Sequence, residues 1–135
     1  MPFDRIQPPG WKTPKGYANG ALVPSGSPLL FIAGQVAWDA DQQLVGEGDF
    51  SAQFRQALSN VVEVVRCAGG DGDDLAQLTI YVTDKRQYLS ATRELKTIWK
   101  QVVGSRYPTM ALVEVAGLLE DGALVEIQGC AVIGT

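Results

Sequence analysis

The sequence predicts an α+β fold: a two-layer sandwich in which two helices cover one face of a mixed six-stranded sheet. Three observations carry this reading. Two stretches repeat apolar residues at intervals of three and four, the helical period. Several shorter runs rich in β-branched and aromatic residues lie between glycine and proline clusters, as strands do. The elements come in the order hairpin, helix, strand, helix, two strands, an order that puts both helices on one side of the sheet.

The elements follow in turn along the chain. Residues 1–16 hold Pro2, Pro8, Pro9 and Pro14, which remove backbone donors and predict an extended arm; Trp11 would pin it to the body or to a partner subunit. Residues 17–33 read as a hairpin, with strands on either side of Pro24-Ser25-Gly26-Ser27-Pro28, a dense turn signal. Gly34 directly follows the second strand. A glycine there marks a bulge or a close backbone approach, so it either opens one wall of a pocket or eases a bend. Val36–Trp38 and Leu44–Val45 flank a polar loop.

The first helix carries Phe54, Ala57, Leu58, Val61, Val62, Val65 and Ala68 on one side and Gln53, Gln56 and Asn60 on the other. Ser51 is the expected cap and Gly69-Gly70 the stop. Leu78–Val82 alternates as a strand. Asp84, three residues before Gln87, has the spacing of a capping box. It opens a second helix with Tyr88, Thr92, Leu95, Ile98, Trp99 and Val102 inward and Gly104 at its end. Thr109–Ala116 and Ala123–Ile133 are the last strands, expected as antiparallel or near neighbours about a turn at Glu120-Asp121-Gly122.

Composition narrows the chemistry. A chain of 135 residues has room for one core, so residues 1–135 are read as a single domain. With 46% hydrophobic and 19% charged residues it is a globular sequence. The net charge of −4 and the lack of a basic stripe remove the electrostatic term that dominates nucleic-acid affinity, so no nucleic-acid partner is expected. There is no histidine, which excludes Ser-His-Asp and Cys-His nucleophile systems and imidazole metal sites. Cys67 and Cys130 read as buried thiols rather than a disulfide framework. No apolar run approaches the roughly 18 residues of a membrane span, and the N-terminus lacks the apolar core of a signal peptide. The expectation is a cytoplasmic protein with no membrane partner.

The last strand supplies the first candidate for chemistry. Leu124, Glu126, Gln128 and Cys130 share one face, and Val125, Ile127 and Ala131 the other. Glu126 is therefore either a solvated carboxylate at a rim or one held in a pocket, where desolvation would suit it to proton transfer. The sheet face away from the helices is assigned many apolar residues: Phe31, Ala33, Met110, Leu112, Leu124 and Cys130. A contiguous apolar face on a small domain implies a partner surface, so a homo-oligomer with pockets between subunits is expected.

Several motifs together resemble the RidA (YjgF) family of reactive-intermediate deaminases. They are Gly16-Tyr17 with Asn19-Gly20, Ala33-Gly34-Gln35, Ala52-Gln53 leading to Ala57-Leu58-Ser59-Asn60-Val61, Ala68-Gly69-Gly70, Thr79 to Asp84, Tyr107-Pro108 and Val125-Glu126-Ile127. The resemblance implies a chorismate-mutase-like trimer with three clefts between subunits. It implies hydrolysis of enamines and imines of 2-amino acids to 2-keto acids without metal or organic cofactor. It places the family's water-activating glutamate on Glu126 and its early tyrosine on Tyr17. The arginine that grips the substrate carboxylate falls on Met110, the serine before Gly-Gln on Ala33, and an asparagine on Thr92; Arg106, beyond Pro108, is no straightforward substitute.

Methionine cannot reproduce a guanidinium fork. Such a charge-assisted pair contributes on the order of 2–5 kcal/mol by truncation, so an α-imino acid should bind poorly and a neutral or hydrophobic small molecule better. Two functions follow from the resemblance. One is a divergent hydrolase of an imine, enamine or similar electrophile using Glu126 and Tyr17; the other is a non-catalytic trimer that binds a small metabolite or a partner protein.

Overall fold

A computed structural model of the chain describes residues 2–134. The fold is α+β, with a four-stranded mixed sheet, a separate two-stranded sheet and three α-helices. The strands are β1 (Asp4–Ile6), β2 (Gly20–Leu22), β3 (Leu29–Gln35), β4 (Leu75–Val82), β5 (Thr109–Glu114) and β6 (Val125–Val132); the helices are α1 (Phe50–Cys67), α2 (Lys85–Ser90) and α3 (Thr92–Val102). The large sheet has the order β3-β6-β4-β5, and only the β4–β5 pair is parallel.

The strand count is thus six, but not in one sheet. The expected 17–33 hairpin does not form: β2 pairs antiparallel with β1 from the N-terminal arm, and β3 pairs with β6. Pro24 and Pro28 end the pairing at the turn, and the arm supplies the partner that β2 needs. Phe3, buried beside Ala76 and Val132, anchors that arm; Trp11 is 64% exposed. The region 36–45 contributes only a bridge between Trp38 and Leu44.

Nor do the last two strands pair with each other. β4 lies between them because the β4–β5 connection runs through α2 and α3, which is the crossover a parallel pair requires. This register corrects the face assignments. Met110 stands beside Leu78 and Leu112 beside Ile80, so both pack toward the helices, as does Leu124. Phe31, Ala33 and Cys130 remain on the open face, where Phe31 pairs with Cys130 and is 78% exposed.

The core lies between the sheet and the inner stripe of α1, where Ala57, Leu58, Val61, Val62 and Val65 are buried with Leu78, Ile80, Val125 and Ile127. Burial of the valine, leucine and isoleucine side chains among them contributes about 1.5–3 kcal/mol each. The α1 cap is Asp49 rather than Ser51, accepting from Ala52 N, since a turn closed by Asp49 N on Gly46 O brings the chain into the helix at buried Phe50. Ala68 and Cys67 fall off the inner stripe in the last turn and are exposed.

Gln53 is the largest departure within α1. It is fully buried, its amide donating to Gly46 O (3.2 Å) and Gly122 O (3.0 Å) and accepting from Leu124 N (2.8 Å). An amide with those three bonds is at home in a core, and it ties the start of α1 to the start of β6. The expected second helix is two. Ala91 leaves helical geometry, and the Thr92 hydroxyl donates to Leu89 O at the break. Asp84 caps α2 by accepting from Arg86 N, without the reciprocal bond of a capping box. Among the described residues no helix is long and apolar enough to cross a membrane.

Candidate functional site

The alternation of β6 places Glu126 as expected: Val125 and Ile127 are buried toward the helices, while Glu126 is half-buried on the open face beside Tyr81 of β4. Opposite it, the β3–β6 register slips. Ile32 pairs with Gly129 and Gln35 with Ile127, so Ala33 and Gly34 together stand against Gln128. That is a bulge, which leaves backbone unpaired and bends the strand.

The Glu126 carboxylate lies over Gly34. A Cβ placed on Gly34 would overlap a carboxylate oxygen and come within 2.9 Å of the carboxyl carbon. Gly34 is therefore a close-approach glycine. Among the described residues no side chain or backbone donor of the chain is bonded to the Glu126 carboxylate. A half-buried carboxylate with free lone pairs above a bulge can order a water and take its proton.

Met110 and Thr92 lie on the other side of the sheet. They line a cavity of about 580 Å³ under α2 and α3, together with Ile80, Tyr88, Leu95 and Trp99. The walls are largely apolar and aromatic, with Lys15 and Lys96 as their cations. Burial, and secondarily the neighbouring Tyr107, raises the Tyr88 phenol above its ordinary pKa, so it is a neutral donor near pH 7.

Tyr17 is 43% exposed and lines a third place, a cavity of about 300 Å³ shared with Arg5, Asn19, Arg106 and Tyr107. Its position is set by Ala18, which bridges to Thr109 and donates its N–H to Pro108 O at 2.8 Å. Tyr107 stands between this cavity and the Met110 cavity and lines both. Its ring stacks on Trp99 with centroids 5.0 Å apart.

Within one chain, then, Glu126, Ala33 and Gly34 come together on the open face, Met110 and Thr92 under the helices, and Tyr17 beside the N-terminal arm. In the sequence Trp99 reads as a packing residue, Tyr107 as part of the Tyr107-Pro108 motif and Arg5 as a cation of the arm, none of them with a place at a small-molecule site. Trp99 and Tyr107 had a weak signal, two aromatics on either side of the helix-ending Gly104. Arg5 is legible only as one of the arm's cations with Lys12 and Lys15, because its place depends on an arm strand without an alternating pattern. Among the described residues no three metal-ligating side chains stand together.

A model of the family described as endoribonuclease L-PSP matches residues 13–133. The crystal structure of YyfB from Yersinia pestis, a Rid-family protein of unknown function, is 30% identical with a TM-score of 0.85, covering 98% of this chain and 100% of that one. The chain belongs to the RidA/YjgF family. Two further members share the fold. TdcF of E. coli, solved with bound serine, is 28% identical over 93% of each chain, with a TM-score of 0.70. Rv2704 of Mycobacterium tuberculosis, of the YjgF/YER057c/UK114 family, is 31% identical over 87% of each chain, with a TM-score of 0.60. Membership rests on the whole length of the RidA/YjgF fold and not on any one motif.

Proposed function

We propose that this RidA/YjgF protein hydrolyses an imine, an enamine or a related small electrophile, without metal or organic cofactor, in clefts between the subunits of a homotrimer. The observation that carries the reading is the Glu126 carboxylate held over Gly34 with no bonding partner among the described residues. Water bound there gives its proton to Glu126 as its oxygen attacks the C=N carbon. The protonated Glu126 returns that proton to the nitrogen, giving a carbinolamine, and then moves the hydroxyl proton to the amine as the C–N bond breaks, so that a carbonyl and ammonia leave; an enamine enters the same path after tautomerising to the imine. Tyr17 orients the substrate through its phenol.

A trimer supplies what one subunit lacks. Glu126 and Met110 lie on opposite faces of the sheet, so a cleft containing both takes them from different subunits, with Ala33 and Gly34 forming a wall and Met110 and Thr92 the apolar end. Exposed Phe31 is the apolar anchor of such a contact. The ribonuclease in the family description draws no electrostatic support from a chain of net charge −4 without histidine.

The second reading, a non-catalytic trimer that binds a small metabolite or a partner protein, is favoured by Met110, Ala33 and Thr92 standing where the resemblance expects arginine, serine and asparagine. Competition between hydrolysis and trapping of amino-acid-derived and neutral imines separates the two. At equal trimer content, Glu126→Gln should lose about 10²–10⁴-fold in rate. Equal turnover by wild type and variant, or none by either, sinks the hydrolase reading. A variant that dissociates assigns Glu126 a structural role.

A further inference from the structure

Arg5 and Arg106 line one small cavity with Tyr17, Asn19, Thr13 and Tyr107, and no carboxylate is on its wall. The Arg5 guanidinium is fixed from behind, whereas Arg106 is exposed and is held through its backbone. Arg5 Nε donates to Tyr107 O at 2.8 Å, and its guanidinium lies 4.9 Å from the centre of the Phe3 ring. Trp99 Nε1 donates to Arg106 O at 2.9 Å, while the stacked Trp99 and Tyr107 rings hold the segment between them.

The Arg5 Nη1 is buried, and no acceptor among the described residues bonds it. Leaving such a group unpaired is costly, more so when it is charged. Burial first, and then the like charge of Arg106, lowers the Arg5 pKa; Asp73 acts in the opposite sense but forms no ion pair with it, and the Asp73 Oδ1 is itself buried without a partner. Two cations and a phenol border this otherwise largely apolar cavity, while the Asn19 amide already donates to Gln7 Oε1 at 2.6 Å; guanidinium forks match carboxylate and phosphate alike.

We propose that Arg5 and Arg106 form an anion subsite that holds the carboxylate or phosphate group of a small ligand beside Tyr17. This rests on the reading of Tyr17 as a substrate-orienting residue, and it moves the anionic end of the ligand away from the apolar surroundings of Met110. The ligand class becomes a small molecule with an oxyanion at one end and an apolar body, and Arg106 becomes a specificity-determining residue.

The test is an NMR titration of the labelled full chain at constant ionic strength, with inorganic phosphate in one arm and propionate in the other. The amides of Ala18, Asn19 and Tyr107 should shift and saturate, and the tighter probe identifies the oxyanion source. Arg106→Gln should weaken binding at least tenfold and Arg106→Lys by less, with the remaining spectrum unchanged in both. Arg5→Gln should weaken it similarly, with added shifts at Tyr107 from the lost backbone bond. Shifts that fail to saturate in wild type, or an affinity unchanged in Arg106→Gln, overturn the subsite. Neither result touches Glu126-dependent turnover, so the two readings fail separately.

Discussion

The two faces of the four-stranded sheet are built by the same alternation and end differently. Toward the helices, Leu78, Ile80 and Val82 of β4 and Val125 and Ile127 of β6 are sealed within one chain. Away from them, Thr79 and Tyr81 of β4 and Glu126 and Cys130 of β6 are half-buried, Gln77 and Gln128 are exposed, and Phe31 stands out almost bare. The closed face is finished by its own chain; the open face holds the candidate catalytic carboxylate on a surface that its own chain leaves uncovered. The difference separates stability from function along a single strand, since Ile127 serves one and Glu126 the other.

Neighbouring substitutions on β6 should expose that division most sharply. Ile127→Ala removes a fully buried side chain from the core and should cost about 2–5 kcal/mol in urea unfolding. Gln128→Ala, one residue on and exposed, should stay within about 0.5 kcal/mol. Comparable losses at the two positions would end the distinction between the faces.

Gly34→Ala probes the open face where it is tightest. The added methyl must displace the Glu126 carboxylate or the bulge, a strain of about 1–3 kcal/mol by the usual cost of overpacking. Turnover should fall together with stability, and an active, equally stable variant would mean that the carboxylate does not need its place over Gly34. Phe31→Ser should leave monomer unfolding within about 0.5 kcal/mol, as expected for an exposed side chain. It should shift the sedimentation of the protein toward monomer. Unchanged assembly would free the open face from any role in association.

The core was readable because it is local. The α1 stripe and the β6 alternation need only a period, and the period put Glu126 opposite Ile127. What could not be read is pairing between distant segments. That β1 completes β2, and that β4 separates β5 from β6, are decisions among competing strands that no single run encodes. The misplacement of Met110 and Leu112 followed from that, since the face of an edge strand is known only once its neighbour is. Gln53 was missed for a related reason, because its partners at Gly46, Gly122 and Leu124 include residues about 70 positions away. The site divides in the same way: Glu126 and Gly34 are adjacent through an antiparallel register, whereas the Arg5–Arg106 pair depends on the arm.

The two cysteines give the mildest test of the comparison. Cys67 lies exposed in the last turn of α1, and Cys130 is half-buried on the open face, where burial raises its thiol pKa above the ordinary 9.0. The thiolate is the reactive form, so at pH 8 the Cys130 fraction available to iodoacetamide is smaller than for an unburied thiol. Cys67 should therefore be alkylated first, with Cys130 gaining as the pH rises past 9. Phe31 pairs directly with Cys130 across β3 and β6, so whatever covers Phe31 covers this sulfur too. In Phe31→Ser the Cys130 rate should rise while the Cys67 rate stays the same, read by peptide mass spectrometry after timed quenching. If both sites react alike in wild type and variant, the open face is open in solution, and the cleft that would bring Glu126 to Met110 has no wall there.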